Sequence, residues 1–201
     1  MKEFWNDRYR ASEYAYGTEP NAFFKSVIDP LPAGRLLLPA EGEGRNAIYA
    51  AQKNWHVFAY DISEVGIQKA QRLAEEKQVT IDYQIGQFGD HPFQDDTFDL
   101  IALIYCHAAP EVRKQLIAKS VAQLVQGGTL CIEAFGPDHL HYKSENPLIG
   151  GPSDAALLYH PSELTDLGLH IEHLEIEEII LEEGLFHRGK ASVVRYIGKK
   201  Q

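Results

Sequence analysis

The stretch Glu41-Gly42-Glu43-Gly44 places two carboxylates and two glycines in four residues, and it is the part of the sequence best suited to chemistry. Glycines let a backbone approach a ligand closely and adopt dihedral angles that a side chain would forbid. Asp61 follows shortly afterwards, at the end of an apolar run. Its two acceptor oxygens suit the two hydroxyls of a ribose. These residue types, in this order, predict a binding site for a ribose-bearing ligand.

The charge of this loop indicates which ribose-bearing ligand it accepts. Gly42-Glu43-Gly44-Arg45-Asn46-Ala47 matches the G-x-G-x-x-G/A pattern of dinucleotide sites, although that match alone is weak. A pyrophosphate needs backbone amides without nearby anions, and Glu41 and Glu43 would repel it. S-adenosylmethionine has no phosphate and carries a positive sulfonium and a positive amino group, so it suits two carboxylates better. The alternative is a loop whose glycines serve only a tight turn.

The elements around the loop are typical of a doubly wound nucleotide-binding fold. Leu36-Leu37-Leu38 predicts a short buried strand, Asn46 to Lys53 a helix, and His56 to Tyr60 a second strand. The same reading continues along the chain. It predicts a helix to about Lys77, strands over Val79–Ile85, Phe98–Ile104 and Thr129–Ala134, a helix over Pro110–Val125 that Gly127-Gly128 ends, and a short helix over Pro161–Leu167.

The end of the chain predicts a reversed last strand. Leu169–Leu181 and Ala191–Ile197 flank a tip that runs from Gly184 to Gly189, so the two strands should pair antiparallel. The predicted fold is α/β: a doubly wound, Rossmann-like, mostly parallel sheet of seven strands with an antiparallel last strand. We expect one domain over residues 1–201.

Two segments lie outside the predicted sheet. Residues 1–29 read as two short helices, with Phe4, Trp5, Arg8 and Tyr9 on one face that can pack on the domain. Residues 135–160 form a long irregular connection, and such a loop in a compact domain often acts as a lid.

Histidines and tyrosines at the carboxyl ends of the strands are candidates for catalysis. Ligands of open parallel sheets bind at those ends, which places Tyr105 and His107 beside the cofactor or the substrate. The predicted tip with His187 and Arg188 should lie at the same edge, where both side chains could contact a polar or anionic substrate. An oxygen or nitrogen nucleophile would need His107 or His187 as proton acceptor, whereas a thiol or chalcogen anion would need little base. The alternative for the tip is a solvated turn.

EGEGRNAIYAA followed by a strand ending in Asp61 resembles the class I S-adenosylmethionine-dependent methyltransferases. The sequence is most similar to the small bacterial group related to tellurite-resistance and thiopurine methyltransferases. FWNDRYRASEYAYGTEPNAFF, FDLIALIYCHAAPEVRKQL and EGLFHRGKASVVRYIGKK match as well, so the resemblance spans nearly the whole chain. The residues expected to bind the cofactor are Glu41, Gly42, Gly44, Asn46, Asp61, Ile62, Gln87, Phe88 and Tyr105.

The resemblance also implies roles outside the glycine loop. The turn after the third strand reaches the adenine in this family, usually through an Asp that here is Gln87, and an amide can both donate and accept. Phe88 either stacks on the adenine or belongs to the core. Methyltransferases of this type often close the cofactor pocket with a segment such as residues 1–29. The resemblance therefore implies that these residues form an N-terminal cap segment, with Tyr16 and Pro20 lining the pocket. The residues expected to bind the substrate are Tyr16, His107, His139, Tyr142 and Arg188.

One departure from the family's pattern concerns the amino group of the cofactor. The family usually places an acid at the end of the first strand and an extra glycine shortly after it. Leu38 and Ala40 occupy those positions here, with Pro39 between them. Glu41 is then the nearest candidate for binding the amino group.

Composition limits the partners of this 201-residue chain. A formal net charge of −10 argues against nucleic acid and anionic membranes. The N-terminus lacks the apolar core of a signal peptide, and two cysteines without metal-type spacing fit a reduced cytoplasmic setting. No metal is expected, because His139 and His141 lack a third ligand with suitable spacing. The alternation of polar and apolar residues over residues 173–177 predicts that His173, Glu175 and Glu177 lie on the solvent-exposed face of a strand and do not form a metal site.

The sequence therefore predicts an S-adenosylmethionine-dependent methyltransferase that acts on a small molecule. The acceptor class stays open among a thiol, a chalcogen oxyanion and another small nucleophile, and the sequence does not indicate the oligomeric state. One alternative is a non-catalytic binder of S-adenosylmethionine or adenosylhomocysteine, since the usual acid is absent at Leu38. The other is a small NAD(P)-dependent oxidoreductase, which the acidic loop and the reversed last strand disfavour.

Overall fold

A computed structural model describes residues 1–91 and 93–201 and shows one seven-stranded sheet with helices on both faces. The strands are β1 Arg35–Pro39, β2 His56–Asp61, β3 Asp82–Ile85, β4 Phe98–Ile104, β5 Leu124–Phe135, β6 His170–Glu183 and β7 His187–Lys199. The α-helices are α1 Lys2–Arg8, α2 Ala22–Ile28, α3 Arg45–Gln52, α4 Glu64–Glu76, α5 Pro110–Gln123 and α6 His139–Glu145. Short 3-10 helices cover Pro147–Ile149, Ala155–Leu157 and Pro161–Glu163.

The strand order β3-β2-β1-β4-β5-β7-β6 confirms the predicted fold. Strands β1 to β5 are parallel to one another, and β7 is antiparallel to both β5 and β6. Strand β6 at the edge therefore runs in the same direction as β5. The end of β6 consequently lies at the same edge of the sheet as the ends of β1, β2 and β4, where ligands bind in open parallel sheets.

The apolar central strands form the core because both of their faces are covered. In β1, Leu36 and Leu38 pack on one side with residues of α3 and α4, whereas Leu37 packs on the other side with residues of α5. The three leucines are at most 2% exposed. Continuous apolar runs of this kind are typical of parallel strands that are buried on both faces. The core thus fixes where the strand ends, and the residues that follow them, must lie.

Several predicted boundaries were wrong. Strand β3 begins at Asp82 because the backbone N–H of Val79 still bonds to the carbonyl of Ala74 at the end of α4. Strand β5 begins at Leu124, and Gly127-Gly128 form an irregularity inside it instead of ending a helix. The predicted helix over residues 161–167 is a single 3-10 turn, and the long connection contains α6 and two 3-10 helices. No helix in the described ranges is long and apolar enough to cross a membrane.

Candidate active site

The glycine loop after β1 turns sharply through left-handed backbone conformations. Ala40, Gly42 and Gly44 have φ angles of +54°, +62° and +85°. A Cβ on Gly44 would lie 2.5 Å from the Cβ of Ala70, so this glycine lets α3 approach α4 closely. A Cβ on Gly42 would lie 2.6 Å from the hydroxyl oxygen of Tyr9. The glycines are therefore required by neighbouring side chains as well as by the turn.

Glu41 holds the N-terminus of α3. Its carboxylate accepts the backbone N–H groups of Asn46 and Ala47 at 2.8 and 2.9 Å and the side-chain amide of Asn46 at 3.1 Å. Burial raises the pKa of Glu41 to about 7, while these hydrogen bonds act in the opposite direction. The carboxyl group of Glu41 thus occupies the helix N-terminus, the place where a pyrophosphate would bind.

Glu43 is paired within the protein, whereas the sequence favoured both loop carboxylates as partners for a positively charged cofactor. It pairs with Lys69 at 2.6 Å and accepts the backbone N–H of Ala15 at 2.8 Å. The Lys69 ammonium also donates to the carbonyls of Ala11 and Glu13 at 2.9 and 2.6 Å. Glu43 and Lys69 therefore fasten residues 9–17, which we call the N-terminal segment, to the domain.

Asp61 ends β2 directly beside the glycine loop. One carboxylate oxygen accepts the N–H of Gly42 at 3.0 Å and the other accepts the N–H of Ser63 at 2.8 Å. Burial raises its pKa. Each oxygen of a carboxylate has two acceptor positions, so each retains one for a ribose hydroxyl. Ile62, the next residue, is half-buried.

Tyr9 lies over the glycine loop and was not among the predicted site residues. It is 5% exposed, stacks on Trp5 with 5.5 Å between ring centroids, and contacts the positions of both Gly42 and Gly66. The aromatic face predicted for the first helix is a signal for it, but that pattern does not distinguish Tyr9 from Phe4, which is exposed. The cap segment thus covers the loop through Tyr9.

The turn after β3 does not bring Gln87 into the site. Gln87 is exposed, and its backbone N–H bonds to the side chain of Asp90. Phe88 is half-buried and packs against the core on the α5 face of the sheet, where a hollow of about 210 Å³ lies beside Tyr60 and Leu37. These contacts support a core position for Phe88 instead of a stacking contact with the adenine.

Tyr105 follows β4 with a strained backbone. Its φ is +52°, which is unusual for a bulky residue, and conformations of this kind concentrate at functional sites. Its hydroxyl is buried and has no hydrogen-bond partner among the described residues. Its ring lies 4.7 Å from that of Phe135 and 4.5 Å from that of His187.

The hairpin brings His187 to the strand ends, as predicted. Its ring is 3% exposed and lies 4.4 Å from that of Tyr16, and its Nδ1 lies 3.0 Å from the carboxylate of Glu183. Burial lowers the pKa of His187, and the hydrogen bond to Glu183 acts in the opposite direction. The turn itself covers only residues 184–186, so His187 is already part of β7.

His107 is held by the backbone at both ring nitrogens. Its Nδ1 lies 2.8 Å from the carbonyl oxygen of Leu157, and its Nε2 accepts the N–H of Phe135 at 3.4 Å. Burial lowers its pKa to about 4. This arrangement fits a residue that fastens the long connection to the sheet, and it leaves neither nitrogen available as a base.

The other predicted substrate contacts divide into two groups. His139 is fully buried, stacks on Phe135 at 3.7 Å between centroids, and has its pKa lowered to about 4 by burial. Tyr142 instead bonds to Glu178 on the outside of the sheet, and Arg188 is exposed with its Nε bonded to the carbonyl of Gly184. The structure thus groups six residues, which we call the aromatic cluster: Tyr16, Tyr105, His107, Phe135, His139 and His187.

A buried polar network beneath the aromatic cluster was missed in the sequence. Arg45 donates to Glu183 at 2.9 Å, and Asn21 donates to Glu133 at 2.6 Å and to Glu183 at 3.2 Å. Arg195 donates to Glu133 at 2.6 Å. Glu133 is fully buried inside an apolar strand, and such an acid requires partners. An acid inside the otherwise apolar sequence of β5 was the sequence feature that could have indicated this buried network.

The acidic face of β6 is paired within the protein. His173, Glu175 and Glu177 lie close enough together to hold an ion. Arg195 donates to Glu177 at 2.7 Å, so a guanidinium already supplies positive charge there. We assign no metal to this group.

Comparisons with known proteins agree with this geometry. Residues 39–128 match a family described as a methyltransferase domain, and no curated protein matches the chain. An enzyme that converts a disulfide bond into a thioacetal group during echinomycin biosynthesis has a TM-score of 0.77 at 15% identity, covering 100% of this chain and 92% of that one.

Two further solved structures share the fold. TehB from Haemophilus influenzae has a TM-score of 0.73 at 15% identity, covering 100% of this chain and 67% of its own. A Methanosarcina mazei S-adenosylmethionine-dependent methyltransferase has a TM-score of 0.70 at 18% identity, covering 90% and 98%. Residues 39–128 therefore match a methyltransferase domain, in a chain that has the class I methyltransferase fold, and this match implies S-adenosylmethionine as the cofactor.

Proposed function

We propose that the protein transfers a methyl group to a small molecule at the edge of the sheet where β4, β5 and β6 end. The observation that carries this proposal is the placement of the aromatic cluster and the glycine loop along one edge. Tyr105 contacts His187 at one end of this arrangement, and Asp61 bonds to Gly42 at the other.

The residues at the glycine loop fit the cofactor. Asp61 would hold the ribose hydroxyls, and Glu41 on the N-terminus of α3 disfavours the phosphates of a nicotinamide dinucleotide. Glu41 or nearby backbone carbonyls would bind the amino group in place of the acid absent at Leu38. When bound, S-adenosylmethionine supplies an electrophilic methyl group on a positive sulfonium.

The protein contributes to the transfer by positioning the acceptor and by excluding water from the site. The aromatic cluster is largely buried, and it would hold an acceptor in line with the methyl group while excluding water. A sulfur or other chalcogen nucleophile is one candidate, supported by the tellurite-resistance and thiopurine resemblance and by the disulfide substrate of the echinomycin enzyme.

We infer that residues 1–201 act as one domain whose cap and lid close this site. Tyr9 covers the glycine loop from the cap segment. The lid, residues 135–160, is fastened over His187 by the side-chain amide of Asn146, which donates to the carbonyl of Arg188. A small-molecule acceptor in the cytoplasm fits a closed site and an acidic chain better than a nucleic acid or a membrane does.

A non-catalytic binder is the second candidate. It is supported by Leu38, a buried leucine at the position where the family has an acid. The two functions share a cofactor and differ only in turnover.

Calorimetry with S-adenosylmethionine, adenosylhomocysteine, NAD⁺ and NADP⁺ tests the cofactor site. We expect the first two ligands to bind and the nicotinamide cofactors not to bind, and binding of NAD⁺ alone would overturn the proposal. Release of adenosylhomocysteine is then measured with a panel of thiols, selenite and tellurite. Cofactor binding without turnover of any acceptor would favour the non-catalytic candidate.

A further inference from the structure

Three donors from three different elements hold the carboxylate of Glu183. Asn21 at the start of α2 donates at 3.2 Å, Arg45 of α3 donates at 2.9 Å, and Nδ1 of His187 in β7 lies at 3.0 Å. Burial alone would raise the pKa of Glu183, but the hydrogen bond from His187 and the charge of Arg45 lower it to about 2. Glu183 is therefore a fixed anion beside the imidazole.

An anion at Nδ1 determines which nitrogen of His187 carries the proton. A carboxylate can only accept a hydrogen bond, so Nδ1 must donate and the neutral ring keeps Nε2 as its acceptor. The charged and titratable groups around the ring come from several elements. They are Arg8, Tyr16, Arg45, Tyr105, His107, His139 and Glu183.

The Nε2 edge of His187 faces a backbone that carries no side chain. Gly150, with φ of +71°, lies alongside, and a Cβ there would be 3.2 Å from Cδ2 and 3.6 Å from Nε2 of the ring. No described residue makes a hydrogen bond to Nε2. The acceptor nitrogen of this ring is thus left unpaired by the described part of the chain.

The other two histidines of the aromatic cluster lack this arrangement. Both nitrogens of His107 bond to backbone groups, and the Nε2 of His139 lies 3.2 Å from the carbonyl of Gly150. Neither ring has a carboxylate partner in the described structure. Among the three histidines of the aromatic cluster, and counting the described residues as partners, His187 alone combines an anionic partner with a free acceptor nitrogen.

We propose that the methyl acceptor still carries a proton when it binds, as a hydroxyl, thiol or N–H group does, and that His187 accepts this proton while Glu183 positions the ring. This inference rests on the proposed function. A lone pair of the acceptor forms the new bond to the methyl carbon, and the electron pair of the broken bond leaves with the sulfur of the cofactor. The proton of the acceptor moves to Nε2, and the resulting imidazolium, paired with Glu183, returns it to water. A chalcogen oxyanion would need no such base, and the negative charge of Glu183 would repel it.

Nitrogen-15 NMR of the protein with adenosylhomocysteine tests the proton acceptor independently of any acceptor molecule. We expect a neutral ring at pH 7 with the proton on Nδ1, assigned by loss of the signal in His187→Gln. An imidazolium at pH 7, or a proton on Nε2, would overturn the inference, because neither form can accept a proton from the substrate at Nε2.

Turnover of paired probes tests the acceptor class. We expect His187→Gln to lose on the order of 10²–10⁴-fold with benzyl mercaptan, which is protonated at neutral pH, and less than about threefold with ionised 4-nitrobenzenethiol. Equal losses with the two thiols would overturn the inference. His187→Asn, which can keep a hydrogen bond to Glu183, provides a second variant, and the exposed His170→Gln is the control. Calorimetry with adenosylhomocysteine distinguishes failure of this inference from failure of the proposed function. Both His187 variants should retain cofactor affinity, whereas a wild-type protein that does not bind adenosylhomocysteine would contradict the proposed function itself.

Discussion

At the scale of single residues, Asp61 is the group on which the proposed ribose contact depends. Its oxygens are positioned by the backbone N–H groups of Gly42 and Ser63. We expect Asp61→Ala to weaken adenosylhomocysteine binding by at least about tenfold, since hydrogen bonds to a charged acceptor are lost. Calorimetry measures the affinity, and Asp82→Ala on the exposed start of β3 is the control. Unchanged affinity in Asp61→Ala would refute the ribose contact.

Glu41 gives a prediction about pH and stability. Its pKa is about 7 in the folded chain, against an ordinary value of 4.5. The folded state therefore binds this proton more tightly than the unfolded state, and the free energy of unfolding falls as pH rises from about 4.5 to about 7. Glu41→Gln cannot lose that proton. We expect the stability of the wild type relative to this variant to fall across the window, by at most about 1.4 kcal/mol per pH unit.

Urea unfolding of the wild type and Glu41→Gln at several pH values checks this expectation. A difference that stays constant from pH 5 to pH 8 would contradict it and would mean that the donors of Asn46 and Ala47 keep Glu41 ionised throughout. Adenosylhomocysteine affinity of the same variant tests whether Glu41 or backbone carbonyls bind the amino group.

Sequence patterns located some residues of the candidate site and missed others for a physical reason. Asp61 and the glycine loop are local signals, since strand, loop and acid lie close together in the chain. The contact between Arg45 and Glu183 joins residues 138 positions apart, and no local pattern reports such a pairing. His107 was placed correctly at a strand end, but its bond to the Leu157 carbonyl depends on the path of a distant connection.

At the scale of elements, the N-terminal segment is fastened by one buried ion pair. Lys69 of α4 pairs with Glu43 and also donates to the segment's carbonyls, and both charged side chains are under 10% exposed. We expect Lys69→Met to cost about 3–5 kcal/mol, because Glu43 would be left buried and unpaired. Hydrogen exchange should show residues 9–17 opening first.

Lys119→Met is the matched control for that change. Its ion pair with Asp95 is of similar length, 2.7 Å, but it is exposed. Exposed pairs contribute about 0–1 kcal/mol, so this variant should unfold nearly as the wild type does. Equal destabilisation by the two substitutions would show that the buried pair does not hold the segment.

Elements with a continuous apolar pattern were predicted well, and those shaped by distant contacts were not. The predicted bounds of the fourth strand, Phe98–Ile104, agree with β4. The start of β5 was missed because Gly127-Gly128 read as a helix stop, whereas Leu124 already pairs with Phe98 before the irregularity. In the sequence, a glycine pair that ends a helix looks the same as one that forms an irregularity inside a strand. The pairing with the neighbouring strand determines which of the two forms.

At the scale of the whole molecule, the reversed last strand brings the two ends of the chain together. The turn at residues 184–186 meets the N-terminal segment, where the N–H groups of Leu185 and Phe186 bond to the carbonyl of Ala15 at 2.8 and 3.3 Å. Tyr16 of that segment lies on His187. Closure of the site by the first residues therefore depends on a hairpin formed by the last ones.

Gly184 is the point where this contact can be tested. Its φ is +59°, and a Cβ there would lie 2.4 Å from the backbone nitrogen of Gly17 and 2.5 Å from the Cα of Tyr16. Gly168 has a similar φ of +69° with no atom within 4 Å of its Cβ position. Alanine at either position bears the same backbone strain, so the difference between the two variants isolates the contact between the chain ends. We expect Gly184→Ala to lose about 1–3 kcal/mol more than Gly168→Ala in urea unfolding, as overpacking typically costs. It should also increase exchange at residues 15–17, and equal stabilities would mean that the hairpin and the N-terminal segment close the site independently.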